Sequence, residues 1–221
     1  MRQYKAQFIS MILMIALGIG VFVGFNMEWV SIQENTHRLF DETGLADFRI
    51  LSETGFSEDD LQKIKAIDGV DAATRFLSVV ADVKEREGDS VTLAVTGDAG
   101  ISGMLVTDGV PFDTESTDGI WLSDSYAAAN DIKVGDTLTL TYKNLSLTGV
   151  VRGVGKSGEY MICVRDETQL MPDFATFGFA YISPVMYEKA MGFAYYPQIF
   201  VRSALEKSAF VDAVDETLAG T

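Results

Sequence analysis

The residues of this chain that could do chemistry are few, and their spacing is wrong for it. Gly155-Lys156-Ser157 has the ending of a phosphate-binding loop, but Val150 stands where that loop needs its first glycine. The run after it, Tyr160 to Val164, reads as strand instead of the helix whose N-terminus would face a phosphate, so a solvated turn is expected. Asp113-Thr114-Glu115-Ser116-Thr117-Asp118-Gly119 has the oxygens of a calcium loop. Its glycine falls one position late, however, and Asp124 stands at the twelfth position in place of the bidentate glutamate, which leaves an acidic surface loop. Cys163 is the only cysteine and His37 the only histidine. They exclude an intrachain disulfide and a cysteine zinc cluster, leave any serine or thiol nucleophile without an obvious base, and make His37 structural or solvated. A non-catalytic protein with no cofactor and no bound metal is expected.

Binding is better served than catalysis. Between Leu170 and Phe200, methionines and large aromatics crowd together, a composition suited to surfaces that accept varied apolar partners. Phe179 and Tyr181 lie in a strand-like run and read as core. Met171, Phe174 and Phe177, beside Pro172 in a loop, are the candidate ligand or partner surface.

The elements that must carry this surface begin with a hydrophobic one. The chain has 221 residues, and its 17 Lys and Arg against 32 Asp and Glu give a net charge of -15, which excludes nucleic acid as a partner. Phe8 to Met27 is an uncharged stretch long enough, at about 1.5 Å per residue, to cross roughly 30 Å of hydrocarbon. It is longer than a signal-peptide core and no small-x-small site follows it, so a retained transmembrane helix is expected in place of a cleaved signal. Arg2 and Lys5 precede it and every acidic residue follows it, which places the N-terminus in the cytoplasm and the main domain outside. Residues 28–44 contain no proline and end at Gly44. The stretch carries a narrow apolar stripe (Trp29, Ile32, Thr36, Leu39, Phe40 and Thr43) and reads as a helical stalk or as a connector packed on the domain.

Beyond Leu45 the pattern is α+β. ADFRIL (46–51) is a strand, and Ser57 with Asp60 makes an acidic capping box for a helix ending at Gly69. Val70 to Lys84 and Val91 to Thr96 are strands about the Glu85–Ser90 turn. A block from 119 to 166 holds a short strand, a helix capped by Ser123, and a hairpin turning at Lys143-Asn144. Then follow a strand at 177–182, a helix with Ser183 as cap and Pro184 in its first turn, a strand at 199–202, and a last helix with a Ser203/Glu206 capping box. A β-α-β-β first half is thus answered by a β-α-β-α second half around an insertion.

These pieces resemble the start of an FtsX-like permease, the membrane subunit of the MacB/LolCDE/FtsX class of ABC transporter systems. The resemblance lies in the basic start and first membrane helix, the ADFRI strand, SEDDLQKIKAIDGVDAAT, LVTDGVPF, and most specifically IWLSDSYAAANDIKVGDTLTLTYKNLSLTGVVRGV. It implies 1–27 as cytoplasmic start and membrane helix, 28–44 as stalk, 45–118 with 167–221 as a porter-like α/β subdomain, and 119–166 as a small β-rich insert. It also implies a non-catalytic subunit that transmits ATP-driven movement to export a substrate or act on an external partner. The implied partners are a separate ABC ATPase subunit, a second permease copy, membrane lipid and an external substrate or protein. Such a permease has further membrane helices after this domain, so a longer protein is expected. A single-span sensor or binding ectodomain is the alternative.

Overall fold

The computed structural model describes residues 3–143, 145–165, 168–169 and 171–219. Two compact units result, Met1–Leu39 and Phe40–Thr221.

Helix α1 runs unbroken from Gln3 to Thr43, 41 residues or roughly 60 Å, about twice the thickness of a bilayer core. Its apolar stretch is fully exposed and is long and apolar enough to cross a membrane. The two polar side chains in that stretch bond back to their own helix: Ser10 Oγ donates to the Gln7 carbonyl (2.9 Å) and Asn26 Nδ2 to that of Phe22 (3.1 Å). Each thereby meets one of its donors within the helix.

The helix stops where a glycine lets it. Gly44 takes φ +59°, its N–H donates to the Asp41 carbonyl and that of Leu45 to Phe40, the paired bonds of a Schellman motif. The carbonyls of Thr43 and Gly44, orphaned by the end of the helix, accept from the N–H groups of Gly103 and Ser102, both at 2.8 Å. The last turn of α1 is thereby bonded into the 97–104 loop of the domain.

The domain proper is a mixed nine-stranded sheet. Its strands are β1 (Phe48–Leu51), β2 (Val70–Val83), β3 (Ser90–Thr96), β4 (Leu105–Gly109), β5 (Gly119–Ser123), β6 (Thr137–Tyr142), β7 (Leu145–Lys156), β8 (Phe177–Ile182) and β9 (Gln198–Ser203). The order is β1-β9-β2-β3-β8-β5-β7-β4, with β6 pairing β2 and β7. Pairs β3–β8 and β5–β7 are parallel and the others antiparallel. The helices are α2 (Glu58–Lys65), α3 (Asp124–Ala129), α4 (Pro184–Met191) and α5 (Lys207–Leu218).

Strand alternation sorts the side chains onto two faces. On one, Leu77, Val91, Leu93, Ile120, Leu122 and Ile182 pack with Tyr126 of α3 and Met186 and Tyr187 of α4, while Ile199 and Val201 pack with Leu61 and Ile64 of α2 and Phe210 and Val214 of α5. On the other, Phe76, Trp121, Phe177, Phe179, Tyr181 and Phe200 meet Ile101, Phe112, Tyr160 and Cys163, all from loops. One face is therefore covered by helices and the other by irregular chain. The glycines of β7 make the second packing possible: a Cβ on Gly153 would sit 2.7 Å from the Trp121 ring.

Several expectations need correcting. Tyr160–Val164 is loop, not strand: Tyr160 stacks on Phe179 at 5.3 Å and Cys163 is buried, but no neighbouring strand takes their backbone. Ser157 is not in a solvated turn; it is buried after the end of β7, donating to the Gly103 carbonyl (3.0 Å) and lying 2.9 Å from the Tyr181 hydroxyl. Ser203 and Glu206 form no capping box. Ser203 Oγ donates to the Gly69 carbonyl (2.6 Å) and accepts from Leu205, and α5 starts after Glu206, which makes no side-chain cap bond. Ser123 precedes α3 without capping it, its hydroxyl lying toward Phe179 of β8. Apart from these corrections, the strands of the 119–166 block are bonded into the one sheet, β5 to β8 and β6 to β2. Asn144, of the predicted hairpin turn, and Leu170 lie outside the described residues.

Candidate surface and cavity for an apolar ligand

The three residues singled out by sequence separate. Met171 is 76% exposed and Phe174 41% exposed, whereas Phe177 is 1% exposed. Phe177 opens β8 within the loop-covered core and is removed from any surface role; its ring lies 5.7 Å from the Arg165 guanidinium carbon. Phe174 is held outward by a turn centred on Asp173, whose carboxylate accepts from the Thr176 hydroxyl (2.8 Å) and the Ala175 N–H (3.2 Å). Asn130 Nδ2 ties the same turn to α3 through the Ala175 carbonyl (3.0 Å).

A cavity of about 630 Å³ opens on the helix-covered face. Leu77 and Val79 of β2 and Leu93 of β3 form its floor. Leu77 and Leu93 are themselves buried and Val79 is half-buried; β6 pairs with β2 only at Asp82 and Val83, and Tyr142 and Leu145, paired with each other at the end of the β6–β7 ladder, line the cavity beside them. Tyr187 and Met191 of α4 form the opposite wall, and past the left-handed Gly192 cap the chain returns with Phe193 and Tyr195 at the rim.

The polar atoms of these walls are largely committed to the protein itself. Tyr187 donates to the Tyr195 carbonyl and Tyr195 to the Glu53 carbonyl, each at 3.1 Å. Burial raises the Tyr187 pKa, so its hydroxyl stays protonated. Among the described residues Lys143 is the one charged residue lining the cavity. It sits at φ +53° on the hairpin turn, its ammonium 5.1 Å from the centre of the Tyr142 ring, and among the described residues no carboxylate pairs with it.

The sequence signalled one wall of this cavity, since Tyr187, Met191, Phe193 and Tyr195 belong to the crowded aromatic segment. It gave no sign that the floor and the hairpin, more than forty residues away in the chain, would meet them. Elsewhere the reactive groups are quiet. Burial raises the Cys163 thiol to about 11, and buried Tyr160 and Tyr181 are likewise pushed up. Tyr181 donates to the Ser102 carbonyl at 2.7 Å. His37 is exposed on α1, and no group of three potential metal ligands occurs among the described residues.

No family model matches the chain, and no curated protein matches it in sequence. Solved structures do. The extracellular domain of the noncanonic ABC-type transporter YknZ from Gram-positive bacteria is similar with a TM-score of 0.53 at 14% identity, over 75% of this chain and 86% of that one. The periplasmic region of MacB from Actinobacillus actinomycetemcomitans is similar with a TM-score of 0.48 at 13% identity, over 78% of this chain and 74% of that one. The first of these shows the fold: an α+β domain of the kind found in an ABC-type transporter outside the membrane.

Proposed function

We propose that this chain is the membrane-anchored extracytoplasmic part of an ABC transporter permease subunit. In this role it transmits the movement of a cytoplasmic ATPase subunit outward, to export a substrate or to act on an external partner. The observation that carries the reading is the union of two features: the fold shared with the YknZ extracellular domain, and the helix α1 that leads into it without a break. The N-terminus is cytoplasmic, as Arg2 and Lys5 favour, and residues 8–27 cross the bilayer in contact with lipid. The subunit itself is non-catalytic and works as a dimer. Residues 119–166 act as an insert into the porter-like subdomain, joined to it through one sheet.

The test has two arms on the full-length protein. In a Cys163→Ala background, Glu87→Cys, on an exposed turn, is expected to react with a membrane-impermeant maleimide added to intact cells. Ser90, in the same stretch, would be a poor probe because it is buried in β3. The protein purified from its own membranes is then expected to carry an associated subunit that hydrolyses Mg-ATP. Labelling only after lysis refutes the topology. Outside labelling with no associated ATPase favours the single-span binding ectodomain.

A further inference from the structure

The cavity on the helix-covered face is apolar over its floor and walls, yet has one cation at its mouth, and that combination specifies a ligand. We propose that it binds a single-chain anionic amphiphile, of the chemical class of a long-chain fatty acid, with the hydrocarbon against Leu77, Val79 and Leu93 and the carboxylate at Lys143. A volume of about 630 Å³ lies within the several hundred Å³ characteristic of small-molecule sites. Neither end of such a ligand would be poorly housed. The hydroxyls of Tyr187 and Tyr195 already donate to carbonyls of the chain, so those walls offer little to a polar body, and apolar surface is what the interior returns favourable free energy for. The head group has one place to go. In a chain of net charge -15, an anion is repelled by most of the surface, and among the described residues Lys143 is the lone charge lining the cavity and has no carboxylate partner. Met191 and Phe193, at the end of α4 and on the loop that follows, supply the adaptable side chains that fit a flexible hydrocarbon. This site is distinct from the Met171 and Phe174 surface and does not depend on the transporter reading.

The experiment uses the full chain in phosphatidylcholine nanodiscs with diazirine-bearing palmitate, irradiation, and mapping of the labelled peptides by mass spectrometry. Label is expected on peptides carrying Leu145 or Met191 to Phe193, in addition to any on the apolar stretch of α1. Ala190→Trp, an exposed position on the cavity wall, fills the space without entering the core and is expected to reduce cavity labelling at least about five-fold with melting unchanged. Lys143→Glu is expected to reduce palmitate labelling about two- to five-fold, the range of an exposed ion pair, while leaving the neutral diazirine fatty alcohol unaffected. Label confined to α1, or cavity labelling that survives Ala190→Trp, overturns the site. Equal labelling by acid and alcohol that ignores Lys143→Glu overturns the anionic class.

Discussion

The junction where α1 enters the domain rests on one residue, and Gly44→Ala should break it. At φ +59° an L side chain costs about 1 to 2 kcal/mol relative to glycine. A Cβ built there would also lie 2.0 Å from the Gly100 carbonyl oxygen, a backbone atom that cannot rotate away. Relief requires the 97–104 loop to withdraw by about an ångström. That strains or loses the bonds from Ser102 N–H to the Gly44 carbonyl and from Gly103 N–H to the Thr43 carbonyl, each worth about 1 kcal/mol. The combined loss is about 3 to 4 kcal/mol, which for a domain of this size lowers the melting temperature by roughly 10 °C. Gly88→Ala is the control. Gly88 has φ +88°, but nothing lies within 4 Å of its would-be Cβ, so it bears the conformational cost without the collision. Thermal unfolding of the full chain in detergent, followed by near-ultraviolet circular dichroism, compares the two. If Gly44→Ala melts no lower than Gly88→Ala, the close approach to Gly100 does not hold the junction and the reasoning fails.

Three further outcomes are expected. Tyr181→Phe should destabilise the protein by about 1 to 3 kcal/mol, measured by denaturant unfolding, because the buried Ser102 carbonyl loses its 2.7 Å donor while the ring packing stays; an unchanged midpoint would mean water takes the place of the hydroxyl. Cys163 should resist thiol reagents until the protein unfolds, and since burial raises its pKa to about 11 from an ordinary 9.0, its contribution to stability is complete below about pH 9 and declines as pH rises toward 11. Cys163→Ala should flatten that decline in melting curves taken across the interval, and an identical decline would assign it to other groups. On the proposed transporter reading, Gln33→Pro in the full-length protein should leave ATPase association intact but uncouple hydrolysis from the external activity, by removing a backbone donor from α1 and kinking it; normal coupling in a reconstituted, well-folded variant would exclude a rigid lever.

The local signals in this sequence were reliable where one side chain had one partner to find. Ser57 and Asp60 make their capping box as spelled, at 3.1 and 2.9 Å, and Ser183 with Pro184 starts α4 as read. Ser203 and Glu206 spell a similar motif and fail. Ser203 is still in β9, beside Val70 of β2, where its hydroxyl finds the Gly69 carbonyl before any helix begins. Tyr160 to Val164 has the composition of a strand, but a strand also needs a free edge beside it, and an edge is a property of the whole sheet. The candidate surface divides for a similar reason. Met171, Phe174 and Phe177 are alike in type and close in sequence, and only the start of β8 decides that Phe177 turns into the core. The cavity was half visible as a crowd of aromatics and half invisible, because its floor on β2 and β3 and the β6–β7 hairpin beside it come from distant parts of the chain that only the sheet order brings together.

The length of β2 has a mechanical consequence. Over 14 residues it is bonded in turn to β9, β3 and β6, and Phe76 has a partner on each side, Gln198 and Thr96. The first half of the fold, the second half and the inserted hairpin are thus all hydrogen-bonded to one beam, which makes β2 the strand through which they are joined. Off that beam lie the turn that presents Phe174 and the loop that receives the end of α1, each held by its own hydrogen bonds and not by the β2 ladder.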